Sequence, residues 1–158
     1  MSDSLDFGEA WRFFDSLFDY CNCPATGSFT GWKAAIVLHD YRYDGGDVQA
    51  EYCLVKLGIP EDSPRLRAKD SKKCRCKFAK VLDIQRRDGS SFPVGTVAYS
   101  CHEVNNSYPF DLANYRTHYK KGKTVYADSF DEDRAHACSH GIHFFTHRGD
   151  AAAYIGWL

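Results

Sequence analysis

Ten residues near the end of the chain, CSHGIHFFTH (138–147), hold one cysteine and three histidines. Arg148 and a small-residue stretch, GDAAAY, follow. Thiol and imidazole groups at this density can ligate a metal, activate a nucleophile or bind an anion. As an extended strand the segment places His143 and Phe145 on one face, and Ile142 and Phe144 on the other. Gly141 permits a backbone geometry or a close approach that a side chain forbids. His147 and Arg148 fall where the strand gives way to a helix, whose free N–H groups attract anions. One reading is therefore an anion pocket built from His143, His147 and Arg148. The plainer one is a strand-to-helix corner with Asp150 as a favourable first-turn acid.

The second source of chemistry is charge. Net charge is only -1, yet residues 65–87 carry ten of the 20 Lys and Arg residues, opposed by Asp70 and Asp83. Within KKCRCK, Lys73, Arg75 and Lys77 alternate with Cys74 and Cys76. An extended chain would turn the bases to one side and the thiols to the other. Such a face attracts phosphates, in a small ligand or in nucleic acid. Lys73 and Arg75 thus join the ligand-binding set, and nucleic-acid contact through 65–87 is a further reading. The plain counter-reading is a solvated loop and strand face.

Other chemistries fit less well. The seven cysteines are odd in number, and two pairs are spaced CxC, awkward for a mutual disulfide. Structural zinc favours paired C-x2-4-C or H-x3-5-H steps, whereas His140 and His143 form an H-x2-H. No metal or cofactor is assigned. A Cys138 nucleophile with His140 or His143 has suitable atoms but no defined geometry. The run GIHFFTHRGDAAAY looks faintly like the strand and helix of ADP-ribosyltransferases. Glu103 and Glu132 precede it, where the catalytic glutamate is expected after. No catalytic residue is assigned, and no P-loop or GxGxxG is present.

These residues need a scaffold. A chain of 158 residues, 44% hydrophobic, suits one domain with one core. Apolar residues at three- and four-residue steps predict a helix over 5–20, within an N-terminal extension (1–30) preceding a core domain (31–158). Strands are expected in GWKAAIVLHDYRY, VQAEYCLVKLGIP, CRCKFAKVLDIQ, TVAYSCHEV and GIHFFTH. HYKKGKTVYADSF suggests a strand pair turning at Gly122. RGDAAAYIGWL suggests a short closing helix. The expected class is α+β: one twisted, mostly antiparallel sheet flanked by the N-terminal and C-terminal helices. The acidic N-terminus, MSDSLDFGEA, lacks the basic start and apolar run of a secretory signal. With no stretch of membrane-spanning length, the expectation is a cytoplasmic protein without membrane contact.

Taken together, GWKAAIVL, CLVKLGIPEDSPR, KCRCKFAKVLDI, VAYSC, YKKGKTVYADSFDEDR and CSHGIHFFTHRGDAAAY resemble an uncharacterised domain family of phages and large DNA viruses. That family is sometimes found beside pentapeptide repeats. The resemblance spans about residues 31–155 and implies a compact domain encoded by a virus or phage, hence a host-cell interior. It implies no reaction. The leading functional expectation is a small binding protein for a phosphate-bearing ligand, a nucleotide or nucleotide-derived defence signal that it sequesters. The alternatives are an ADP-ribosyltransferase-like or Cys/His enzyme, a zinc-stabilised interaction module and a nucleic-acid binder.

Overall fold

The computed structural model describes residues 23–39, 49–101, 117–136 and 139–157. Among them are nine strands and one seven-residue helix. Six strands form one sheet: β1 (Phe29–His39), β2 (Gln49–Ile59), β5 (Phe78–Gln85), β6 (Val97–Ser100), β7 (His118–Lys120) and β8 (Thr124–Tyr126). Their order is β7-β6-β1-β2-β5-β8, antiparallel throughout. The two edges, β7 and β8, are consecutive in sequence. The turn between them is bonded to the sheet, with Gly122 donating its amide to the Val81 carbonyl and Val81 to that of Lys123. One short piece of chain therefore forms both edges, and the sheet curls on itself. Gly122 makes this tight turn at φ +88°, the left-handed region that glycine favours.

A second sheet joins β3 (Arg65–Arg67), β4 (Cys74–Cys76) and β9 (Ile142–Phe144) in the order β3-β4-β9. It is stitched to the first where Trp32 and Phe145 exchange backbone hydrogen bonds of 2.7 and 2.8 Å. The helix α1 (Arg148–Tyr154) follows β9.

Alternation in the strands explains the layers. Ala35 and Val37 of β1, and Cys53, Val55, Leu57 and Ile59 of β2, point inward. They meet Cys74, Cys76, Ile142 and Phe144 of the second sheet, so both sheets share one core. The opposite face of β1 and β2, with Ala34, Ile36 and Leu54, is covered by Ala151 and Ala152 of α1. Small side chains let that helix lie close to the sheet.

Two expectations are corrected. The fold is mostly β rather than α+β, because the described chain is dominated by strands and carries one short helix. The helix expected over 5–20 lies outside the described residues. CRCKFAKVLDIQ is two strands, not one: β4 and β5 part at Lys77 and enter different sheets. The segment after Asp88 and Gly89 turns back only as far as Ser91 and Phe92 on Gln85 and Ile84. β6 then crosses to pair with β1. Residues 23–30 are tied to the core: Cys23 and Phe29 pack on it, and Arg65 donates to the carbonyls of Pro24 and Gly27. Among the described residues, no helix is long and apolar enough to cross a membrane.

Candidate functional site

The two segments that carry the anticipated chemistry lie side by side. β4 pairs antiparallel with β9, placing Arg75 opposite His143, Cys74 opposite Phe144 and Cys76 opposite Ile142. The thiols and their apolar partners enter the core, while Arg75 and His143 share the other face. Beside that face is a cavity of about 600 Å³. Its described wall includes Lys33, Lys73, His140, His143, Tyr119, Phe145 and Tyr154, with hydroxyls from Thr117, Ser129 and Ser139.

Of the five anticipated ligand contacts, Lys73 and His143 line this cavity. Lys73 lies against Tyr154, its ammonium 5.3 Å from the ring centre. His143 is half-buried, and its Nε2 hydrogen-bonds the Ser139 carbonyl. A carbonyl only accepts, so Nε2 carries the hydrogen and Nδ1 is the acceptor of the neutral ring. Burial pushes the His143 pKa down, opposed by the Ser139 bond and reinforced by Lys33, Lys73 and Arg75.

Arg75 is elsewhere engaged. It is 1% exposed. Nε donates to Asp131 O at 2.9 Å, Nη2 to Asp133 O at 2.6 Å and Nη1 to His136 O. The guanidinium thus clasps the loop 131–136 onto β4. Cys74 and Cys76 enter the core as alternation implies, but β4 ends at Cys76, short of Lys77, and a distant loop covers Arg75. Gly141, at φ +141°, makes room: a Cβ there would stand 3.1 Å from Arg75 Cβ and Cδ.

Arg148 is not in the described cavity wall. Its guanidinium donates to Gln85 Oε1 and the Arg86 carbonyl and lies 5.6 Å from the Trp32 ring centre. His147 is exposed at the N-cap of α1, with no side-chain capping bond. The anticipated corner of His143, His147 and Arg148 is therefore split.

The residue that sequence reasoning missed is Lys33. It is 8% exposed, on the core-facing side of β1, and donates from Nζ to the His143 carbonyl at 3.0 Å. The same ammonium lies 5.6 Å from the Tyr119 ring centre. Its signal was present as the single base within GWKAAIVL, where strand alternation puts it with Ala35 and Val37.

Other arginines of the basic segment are engaged by backbone carbonyls, Arg65 and Arg86 half-buried and Arg87 exposed. Arg65 donates to the carbonyls of Ser63, Gly27 and Pro60, Arg86 to Ser91 O, and Arg87 to Trp157 O. Lys69, Lys77 and Lys80 stay exposed.

The clasped loop has its own polar knot. Asp131 Oδ2 accepts from Ser139 Oγ at 2.6 Å and from His136 Nδ1 at 2.7 Å, and Oδ1 accepts from the Asp133 amide. These bonds, led by the Ser139 hydroxyl, hold the Asp131 carboxyl well below the usual carboxylate range. In turn the Asp131 bond raises the His136 pKa. A raised folded-state value means the interaction is fully present below about pH 6.5, the ordinary histidine value. It is lost as pH rises through the higher folded value. An NMR titration should find the His136 midpoint above that ordinary value, and Asp131→Asn should return it. An ordinary midpoint in the unaltered protein would refute the pairing.

Among the described residues, no three His, Cys, Asp or Glu side chains are grouped to hold a metal. Cys21, His102 and Cys138 lie outside them, as does Glu103. Glu132 is exposed on the clasped loop. Burial pushes the Cys76 thiol up to about 12 and raises Cys53 and Cys101 as well. These three are protonated core thiols rather than nucleophiles.

A family model described as a family of unknown function, DUF5758, matches residues 19–151. No curated protein and no solved structure matches the chain.

Proposed function

The chain belongs to the DUF5758 family, whose function is unknown, and we propose that it binds a small phosphate-bearing ligand of nucleotide class. The ligand occupies the cavity beside β4 and β9 and is held rather than turned over. The observation that carries this is Lys33, a buried cation at a cavity whose wall also includes Lys73 and His143. A cavity of about 600 Å³ falls within the range of small-molecule sites, commonly apolar walls with a few convergent polar groups. Tyr119, Phe145 and Tyr154 supply rings for an aromatic base, and Ser129 and Ser139 supply hydroxyls. In a virus- or phage-encoded chain, within the host cytoplasm, holding a nucleotide-derived defence signal would sequester it.

The test is thermal unfolding against nucleoside mono- and diphosphates, cyclic nucleotides, nucleosides and inorganic phosphate. At a hundred times Kd, a native-state ligand adds about 2.7 kcal/mol, or about 5–10 °C in Tm for a chain of this size. Phosphate-bearing members should give this shift, nucleosides should not, and chromatography should recover the ligand unchanged. Lys33→Met should abolish the shift. No shift from any member, or an equal shift in Lys33→Met, refutes the reading. A converted ligand would favour the enzymatic alternative.

Nucleic acid along 65–87 is retained as a second reading because Lys69, Lys77 and Lys80 are exposed. It requires an affinity that falls steeply with salt.

A further inference from the structure

We infer that the cavity takes up a proton together with its anion: His143 becomes imidazolium and donates Nδ1–H to an anionic oxygen seated near Lys33 and Lys73. This rests on the phosphate-ligand reading above and adds how that site is regulated.

The geometry leads there in three steps. Nε2 of His143 is committed to the Ser139 carbonyl, so the nitrogen left for a ligand is Nδ1, a lone pair in the neutral ring. Lys33 donates to the His143 carbonyl at 3.0 Å, and Arg75 is its register partner on β4. With Lys73 at the same wall, three cations oppose an imidazolium, and burial lowers its pKa further. An unliganded cavity at neutral pH therefore holds a neutral imidazole.

A phosphate oxygen arriving here changes both conditions. Its charge offsets the three cations. It also carries no hydrogen, and a bare oxygen facing a bare Nδ1 would set lone pair against lone pair. A proton from solvent forms the new N–H bond and becomes the hydrogen between them; the ligand loses no bond. The other titratable groups of the described wall are the Tyr119 hydroxyl on β7, the Tyr154 hydroxyl on α1, the Cys101 thiol after β6, whose pKa burial raises, and Asp128 and His140 from the segment between β8 and β9. Affinity should be level below the free-state pKa of His143. It should fall by up to about tenfold per pH unit between the free and bound values.

The experiment is calorimetric titration at pH 7 in two buffers of different ionisation enthalpy. The probes are adenosine 5′-monophosphate, 3′,5′-cyclic AMP and sulfate. Cyclic AMP and sulfate do not titrate near neutrality, so protons taken up with them belong to the protein. The inference expects net uptake, approaching one proton, with whichever probe binds. His143→Gln, which keeps a side-chain donor but cannot charge, should remove the uptake and flatten the pH dependence. If that variant fails to fold, the ring ¹⁵N shifts of His143 in the native complex must report imidazolium. Binding without proton uptake, or a neutral ring in the complex, overturns the inference and leaves the ligand reading intact. No binding by any probe overturns both.

Discussion

Arg75→Ala is expected to lower the unfolding free energy by about 3–5 kcal/mol. The side chain is buried and donates to three carbonyls, those of Asp131, Asp133 and His136. An acceptor stripped of its donor costs about 1–3 kcal/mol where it stays buried, and water recovers part of this as the loop lifts. A guanidinium fork meets several carbonyls at once, whereas an ammonium on a flexible stem does not. Arg75→Lys should therefore still lose about 2–3 kcal/mol, since fewer of the three acceptors are met. Urea unfolding of the three proteins measures this directly. A loss below about 1 kcal/mol for Arg75→Ala would mean that the loop 131–136 does not depend on the clasp.

Phe144→Ala should cost a similar amount, about 3–5 kcal/mol, the range for a buried aromatic truncated in a core. Phe144 is 1% exposed and joins the two sheets, packing on Phe29 with ring centres 5.8 Å apart. Its ring fills the space over Gly31, where an added Cβ would stand 2.5 Å from Cδ2. Gly31→Ala alone should therefore cost about 1–3 kcal/mol through overpacking. Together the two changes should cost less than their sum, because the alanine at 31 moves into space the ring has left. A coupling of about 0.5–3 kcal/mol is the expected size for such neighbours. Strict additivity would mean that Phe144 does not set the size limit at position 31.

How far the sequence carried the structure depended on whether a feature was local. Alternation in VQAEYCLVKLGIP marks β2 almost to its ends, and Gly122 marks the turn between β7 and β8. The closing strand and helix appear where GIHFFTH and RGDAAAY place them. Strand partners were not local. Nothing in CRCKFAKVLDIQ marks Lys77 as the point where one sheet hands over to another, and nothing near Val97 says that β6 belongs beside β1. The short strand β3 likewise went unmarked, because its three residues are too few to show a period.

The same limit applies to the site. KKCRCK correctly separates thiols from bases, but a stripe of cations reads identically whether solvent or a loop 56 to 61 residues away covers Arg75. Arg148 looked like part of an anion corner because it opens a helix; the carbonyl of Arg86 and the ring of Trp32 claim it instead. Lys33 was legible in principle. A single cation among inward-pointing apolar residues is expensive to bury unless polar groups meet it, which makes it conspicuous in GWKAAIVL.

The central claim is that the cavity beside β4 and β9, not the outer basic surface, receives the phosphate. A crystal structure with a bound nucleotide tests it most directly. The account predicts a phosphate oxygen about 2.7–2.9 Å from the Nζ of Lys33 or Lys73, with the base against Tyr119, Phe145 or Tyr154. A nucleotide resting on Lys69, Lys77 or Lys80, with the cavity empty, would contradict it.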